Sequence, residues 1–310
     1  MNLLSVIIPC YNEALVVRET YNRLNAIFTP QPYQVEFIFL NNRSEDSTLE
    51  ILKGMALEDQ RVKVINMSRN FGHQGSVTCG INNCSGDVAA IIDADLQDPP
   101  EAILEMLTLM KKENANVVYG VRKTRKGENW FKITTAKVFY RALNRMSDTK
   151  FPVDTGDFRI IDRKVIQAFN GFKEKNKYVR GLISWMGFKQ VPYLYERQER
   201  YAGETKYPLK DMLKFAAIGM FYFSKKPLKI ATFTGFLAVI VGVFYALFVL
   251  FSKIFSHDVV VSGWTSTIIL IVFFGGVQLL TIGVLGQYIG NLFDEAKNRP
   301  EYIIDEKINF

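Results

Sequence analysis

Two aspartates at alternate positions, Asp93 and Asp95, followed by Leu96-Gln97-Asp98-Pro99-Pro100, form the stretch of this chain best suited to chemistry. On an extended backbone the two carboxylates share a face. Hard oxygen ligands so placed suit Mg²⁺ or Mn²⁺ bridging to a diphosphate. The elements that must position them flank the string. Val88-Ala89-Ala90-Ile91-Ile92 reads as a buried strand, and Pro100-Glu101-Ala102-Ile103-Leu104 as a helix start with proline in its first turn. Acids at the carboxyl end of a parallel strand lie where open α/β sheets bind ligands. A solvated acidic turn is the competing reading, but it leaves the agreement of strand, acid pair and proline unexplained.

Apolar strand runs alternate with helical patterns up to about residue 200. Leu3 to Ile8 reads as a strand ended by Pro9, and Val35 to Leu40, Val62 to Ile65 and Asn116 to Tyr119 as further strands. Val17, Tyr21, Leu24 and Phe28 recur at helical spacing, and Ser47-Thr48-Leu49-Glu50 reads as a capping box opening the next helix. This order predicts an α/β fold, a mostly parallel sheet with helices on both faces.

The last third is different. Ile230 to Ser252 and Trp264 to Ile289 carry no charge, and each is long enough to cross a ~30 Å hydrocarbon core. Lys225, Lys226 and Lys229 precede the pair; Lys297, Arg299 and Lys307 follow it; the connector, with His257, holds one lysine. The positive-inside rule then places both ends, and the large N-terminal part, in the cytoplasm. Glycines from Gly235 to Gly290 permit close helix packing within one chain or in a homo-oligomer. Pro208 to Pro227 mixes Leu209, Met212, Leu213 and Phe215 with Lys210, Asp211 and Lys214, as an interfacial amphipathic helix or a core-packing helix would. The expected division is a catalytic domain over 1–207, an interfacial helix over 208–227, two transmembrane helices over 228–291 and a cytoplasmic tail over 292–310.

Composition narrows the partners. The chain has 310 residues, 48% of them hydrophobic, and a net charge of +7, which favours an anionic partner: a nucleotide, a lipid phosphate or an acidic membrane surface. No nucleic-acid module stands out. Cys10, Cys79 and Cys84 lack metal-ligand spacing and point to a reducing compartment without a disulfide framework. The apolar N-terminal run is too short, and lacks the basic flank, for a signal peptide.

Pro9-Cys10-Tyr11-Asn12-Glu13 after the first strand and Asp93-Ala94-Asp95 after a later one resemble glycosyltransferase family 2. The string Asp93 to Pro100, with Ser68-Arg69-Asn70-Phe71-Gly72 and Gly156-Asp157-Phe158-Arg159, resembles its polyprenyl-phosphate branch, which includes dolichyl-phosphate mannose synthases and bacterial bactoprenol glucosyltransferases. The resemblance covers almost the whole chain. It implies the GT-A fold, a nucleotide-sugar donor, a polyprenyl phosphate acceptor and a place in the bacterial inner membrane. Residue by residue, it assigns Pro9, Tyr11, Glu13, Asn42 and Arg69 to the nucleotide, Asp93 to the donor, Asp95 to the metal and Gln97 to the metal side. Arg122 and Lys132 fall to the acceptor phosphate, within a basic stretch running into a helix over residues 130–146. Arg197 and Lys206 would sit in a loop closing over the diphosphate about Gly203, or in an ordinary linker. Asn41 and Asn42 stand where the family usually has aspartates, which leaves the nucleotide open.

The implied reaction inverts the sugar: the acceptor phosphate attacks the anomeric carbon and a nucleoside diphosphate leaves. A phosphate monoester has a second pKa of about 6, so little base catalysis is required, and Asp157 orients sugar or acceptor or acts as a weak base. UDP-glucose and undecaprenyl phosphate, serving O-antigen or other lipopolysaccharide modification, are the first expectation. A nucleotide-linked modified arabinose and GDP-mannose are the alternatives. A processive polysaccharide synthase would carry Gln-x-x-Arg-Trp, which Gln198-Glu199-Arg200-Tyr201 does not match. Charge-free spans make a poor transport path, and an inert anchor needs no acidic cluster.

Overall fold

The computed structural model describes residues 1–123, 155–175, 177–198, 225–255 and 263–310. The expected interfacial helix, apart from its last residues, and the helix over 130–146 lie outside these, as do Lys132 and Lys206.

The chain divides into two compact units. The first is built on an eight-stranded sheet: β1 Leu3–Cys10, β2 Gln34–Asn41, β3 Val62–Met67, β4 Val88–Ile91, β5 Val117–Arg122, β6 Thr155–Asp162, β7 Gln190–Tyr195 and β8 Ile304–Ile308, in the order β7-β5-β6-β4-β1-β2-β3-β8. The pairs β1–β2, β1–β4, β2–β3 and β5–β7 are parallel; β6 and β8 run antiparallel to their neighbours. Strand order reverses at β1, with β2 on one side and β4 on the other, and this leaves a crevice at their carboxyl ends.

The helices α1 Val17–Phe28, α2 Thr48–Glu58 and α4 Ala102–Glu113 bury Leu24, Leu52 and Met106 with Leu4, Val6 and Ile8 on one face. On the other face α3, Gly72–Asn83, lies directly on β1 and β2, and α5 Arg163–Asn170 and α6 Val179–Trp185 pack beside it. A methyl at Gly80 would stand 2.3 Å from Ile7 Cγ2 and 3.1 Å from Leu40 Cδ1, so α3 can approach this closely only as glycine. Gly80→Ala should therefore destabilise the unit by about 1–3 kcal/mol, the usual range for overpacking. Thermal unfolding checks this, and an unchanged transition would contradict it.

Several local expectations are corrected. Pro9 does not end β1; the strand runs to Cys10 and pairs with β2 throughout. What Pro9 ends is the pairing on the other side. Ile92 N–H donates to Ile7 O, and the next donor toward β4 would be residue 9, which has none, so the chain leaves the sheet after Ile92 and presents Asp93. Ser47 makes no side-chain cap on α2, because Asp46 Oδ1 accepts from both the N–H and the hydroxyl of Thr48. Pro100 lies just outside α4 rather than in its first turn. The stretch expected to be a tail contains β8, paired antiparallel with β3, and Asn298–Phe310 belongs to the first unit.

The second unit, as far as it is described, holds α7 Lys226–Phe255 and α8 Trp264–Ala296, which pack together with Gly242 against the Phe274 ring. Lys226–Phe248 and Leu270–Ala296 are long and apolar enough to cross a membrane, with mean hydropathies of 2.2 and 1.8. Phe233, Phe244, Phe248, Leu279 and Leu280 stand exposed along them, an apolar surface that water does not favour.

Candidate active site

The crevice at the reversal of strand order is an open cleft of about 380 Å³. Pro9, Tyr11 and Glu13 from the end of β1, Asn42 from the end of β2, and Asp93 and Asp95 from the end of β4 line it together with His73 of α3. Six residues singled out from the sequence thus meet in one place. Three non-glycine residues in the surrounding loops hold left-handed backbone: Asn12 (φ 54°), Arg43 (φ 58°) and Leu96 (φ 57°). Such strain gathers where a site dictates the chain path. Leu96 is buried and so anchors the acidic loop between Asp95 and Gln97.

The first loop is clamped by the second. Asn12 N–H donates to Ser44 Oγ at 3.0 Å, Glu13 N–H to Thr48 Oγ1 at 2.9 Å, Ala14 N–H to Asp46 Oδ2 at 3.2 Å, and Glu45 N–H to Asn12 Oδ1 at 2.8 Å. Asn42 has its own work: its Nδ2 donates to Asn70 Oδ1 at 2.8 Å while its Oδ1 accepts from Phe71 N–H at 2.8 Å. An aspartate could make only the second of these bonds, so the amide at 42 suits the Asn70–Gly72 turn of this chain.

A buried ionic group adjoins the cleft on the side of Asp93. His73 Nε2 lies 3.1 Å from Asp157 Oδ2 and 3.7 Å from Asp93 Oδ1. Asp157 also accepts from Arg180 Nε at 2.8 Å and Gln74 Nε2 at 3.2 Å, and Arg159 lies behind it. Burial would raise the Asp157 carboxyl, but Arg180, His73 and Arg159 together hold it well below the ordinary range. It stays ionised and is a poor proton acceptor, so a base role does not suit it. At His73 the two carboxylates outweigh burial: burial lowers its pKa, but Asp93 and Asp157 raise it to about 9. Depth in the cleft pushes Asp93 up to about 6 although its side chain keeps 40% of its exposure; His73 pulls the other way. Burial is also the main cause of the fall of Arg159 to about 10.

Farther along the acidic loop, Asp98 is buried, accepts from the Tyr195 hydroxyl of β7, and lies 3.9 Å from Arg122 Nη2 at the end of β5. Burial raises its carboxyl, with Arg122 opposing. Arg197 Nη2 donates to Gln97 Oε1 at 2.6 Å, and Gln198 N–H to Gln97 O at 2.9 Å, so these two residues, the described start of the segment expected to close over the site, are seated on this loop. The Gln97 side-chain oxygen is therefore engaged by Arg197 through one of its two lone pairs. Arg69 is exposed, its guanidinium 4.2 Å from the Phe71 ring centre, and does not line the cleft.

Among the described residues no group of three or more His, Cys, Asp or Glu side chains is arranged to hold a metal. Asp93 and Asp95, hard oxygen donors lining one cleft, fit Mg²⁺ or Mn²⁺ in the form those ions usually take with nucleotides, one or two carboxylates with the rest from phosphate and water. His73, Gln74, Arg180, Tyr195 and Asp98 carry the site's electrostatics and were assigned no role from sequence. His73 and Gln74 had a signal, since they directly follow the Ser68–Gly72 string; Arg180 had none.

Fold and cleft together define an α/β protein with an acid-lined cleft at the switch point of its sheet, where such sheets bind ligands. The sequence profile described as "Glycosyl transferase family 2" matches residues 5–169. The chain belongs to this family, and its sheet is that of the GT-A fold. A Bacillus subtilis (strain 168) protein named "Uncharacterized glycosyltransferase YkcC" is 50% identical over 97% of this chain and 93% of its own length. "Uncharacterized glycosyltransferase sll0501" of Synechocystis is 39% identical over 98% and 95%. The "Bactoprenol glucosyl transferase" of Shigella phage SfII is 35% identical over 97% of both chains.

Proposed function

We propose that this chain transfers a hexose, glucose in the first place, from a uridine diphosphate sugar to undecaprenyl phosphate at the cytoplasmic face of a bacterial inner membrane. The observation that carries this is the convergence of Pro9, Tyr11, Glu13 and Asn42 with Asp93 and Asp95 on one cleft, in a chain that also bears two helices able to span a bilayer. The full-length match to a bactoprenol glucosyl transferase supports the same acceptor and sugar.

In this reading Pro9, Tyr11, Glu13 and Asn42 hold the nucleotide, and Asp93 orients the donor sugar. Asp95 would hold a divalent cation, which would supply neutralisation of the charge that develops on the departing diphosphate. Arg197 adds to that from its seat on Gln97, with Lys206 assigned to the same task. An oxygen of the lipid phosphate attacks the anomeric carbon as the bond to the diphosphate breaks, the electron pair leaves with the nucleoside diphosphate, and configuration inverts. Asp157 positions His73 and Arg180 and takes no proton. Arg122, with Lys132, binds the acceptor phosphate. The apolar pair anchors the enzyme beside its lipid and, through its glycines, supports a homo-oligomer.

The donor is tested by supplying UDP-glucose, UDP-galactose, the modified-arabinose nucleotide and GDP-mannose singly and measuring nucleoside diphosphate release that depends on undecaprenyl phosphate. Lipid-dependent release only from GDP-mannose would overturn the uridine assignment. Arg122→Ala should raise the KM for undecaprenyl phosphate about tenfold or more, the size of one charge-assisted contact, with UDP affinity unchanged. Initial rates and calorimetry check this; loss of UDP affinity instead would move Arg122 to the donor side.

A further inference from the structure

After the second apolar helix the chain returns to the first unit, and its last strand meets the loop that clamps the proposed nucleotide site. Asp305 of β8 lies beside Asn66 of β3, whose Nδ2 donates to Asp305 Oδ2 at 3.1 Å. Asn66 Oδ1 accepts from Asn41 Nδ2 of β2 at 2.7 Å, and Asn41 Oδ1 accepts from Ser44 N–H at 3.3 Å. Ser44 Oγ in turn accepts from Asn12 N–H at 3.0 Å. Asn41 and Asn66 are almost fully buried.

The polarity of this relay is forced at both ends. Ser44 offers a backbone N–H, so Asn41 must present oxygen to it and nitrogen to Asn66. Asp305 can only accept, so Asn66 must present nitrogen to it and oxygen to Asn41. Only amides at positions 41 and 66 satisfy both. An aspartate at 41, the residue more usual in the family, would turn the Asn66 amide around and set its oxygen against the Asp305 carboxylate.

From this we infer that Asn41, Asn66 and Asp305 are positioning residues for donor binding. The C-terminal strand sets the Asn41–Thr48 loop, and through it the Pro9–Glu13 loop, by a hydrogen-bonded relay of one fixed direction. This deepens the proposed function and rests on its placing of the nucleotide between those loops. It also accounts for the amide at 41. The segment after the apolar helices is thereby part of the donor site's support.

Direction makes the relay testable by reversing it. In Asn41→Asp the relay loses its donor at 41 and Asn66 must turn; in Asp305→Asn alone the amide at 305 still offers an oxygen to Asn66 Nδ2, so the relay keeps its direction. The double variant carries the same two side-chain types exchanged and conserves net charge, with a donor restored at 305 to meet the turned Asn66. The full-length protein in detergent is used, read by hydrogen–deuterium exchange of the 41–48 segment without ligand and by affinity for UDP. Asn41→Asp should speed exchange in that segment and weaken UDP roughly tenfold, Asp305→Asn alone should leave both within about threefold of the parent, and the double variant should recover both to within about threefold, since one hydrogen bond is involved. Arg43→Gln is the control for the 3.8 Å Arg43–Asp305 pair, which is largely exposed and should matter little.

A double variant no better than Asn41→Asp overturns the inference, as does unchanged exchange in Asn41→Asp. If a single variant loosens the whole sheet, recovery in the double variant still decides, because recovery requires matched polarity. A parent protein that binds neither UDP nor GDP would defeat the nucleotide reading and, with it, the donor-binding role; the exchange pattern reports separately whether the relay itself exists.

Discussion

Asp95→Asn should lower sugar transfer at least about 10³-fold and leave thermal unfolding nearly unchanged. Asp95 lines the cleft at the point where β4 has left the sheet, and its Oδ1 accepts a local bond from Gln97 N–H at 3.1 Å. Asparagine keeps an oxygen for that bond, so the loop should hold its shape. What it removes is the negative charge that would hold a divalent cation against a diphosphate. Such charge stabilisation supplies several kcal/mol to the transition state, and about 4 kcal/mol corresponds to 10³ in rate. Initial rates at saturating donor and Mn²⁺, with circular dichroism for the fold, provide the check. Turnover within tenfold of the parent would remove Asp95 from the metal role.

Asp157→Asn should act mainly on stability, and in a pH-dependent way. Asp157 receives Arg180, His73 and Gln74, so neutralising it leaves buried cations without their partner, a change that typically costs about 3–5 kcal/mol. Two titrations set the pH window. The Asp157 pKa is depressed on folding, so its contribution is present above the unfolded value near 3.8 and is lost as pH falls through the lower folded value. The His73 pKa is raised from 6.5 to about 9, so its contribution is complete below 6.5 and is lost as pH rises through 9. The parent should therefore lose stability between pH 6.5 and 9, and Asp157→Asn should flatten that slope because much of the pull on His73 is gone. Denaturant unfolding across pH 6 to 9 measures it. A slope identical in parent and variant would contradict the ion-pair account.

The first half of the sheet was legible because its strands are apolar and buried. Leu4 to Ile8, Phe37 to Leu40 and Ala89 to Ile92 are runs that only a core strand explains, and the motifs that line the cleft hang from their carboxyl ends. Beyond β5, which was read in part, the second half was hidden by its polarity. β6 carries Asp157 and Arg159 at buried positions, where each is balanced by partners from other elements that a linear reading does not show. β7 contains Pro192, and β8 reads Ile304-Asp305-Glu306-Lys307-Ile308, a polar edge that resembles a solvated tail. Of the residues lining the cleft, Asp93 and Asp95 were read from spacing and Pro9, Tyr11, Glu13 and Asn42 from the family resemblance, while His73 and Arg180 were not read, because their roles arise from distances across α3, β6 and α6. Asn41 and Asn42 were seen as departures; their hydrogen bonds to Asn66, Asn70 and Phe71 supply the reason.

The most direct test of the central claim is transfer itself. Purified protein in detergent would be given undecaprenyl phosphate and radiolabelled UDP-glucose, with Mg²⁺ or Mn²⁺ or with EDTA, and label would be counted in the organic phase. Label that moves into lipid only when both cation and undecaprenyl phosphate are present is the predicted result. Label that stays in the aqueous phase under every condition, with each alternative donor as well, would contradict a polyprenyl-phosphate transferase.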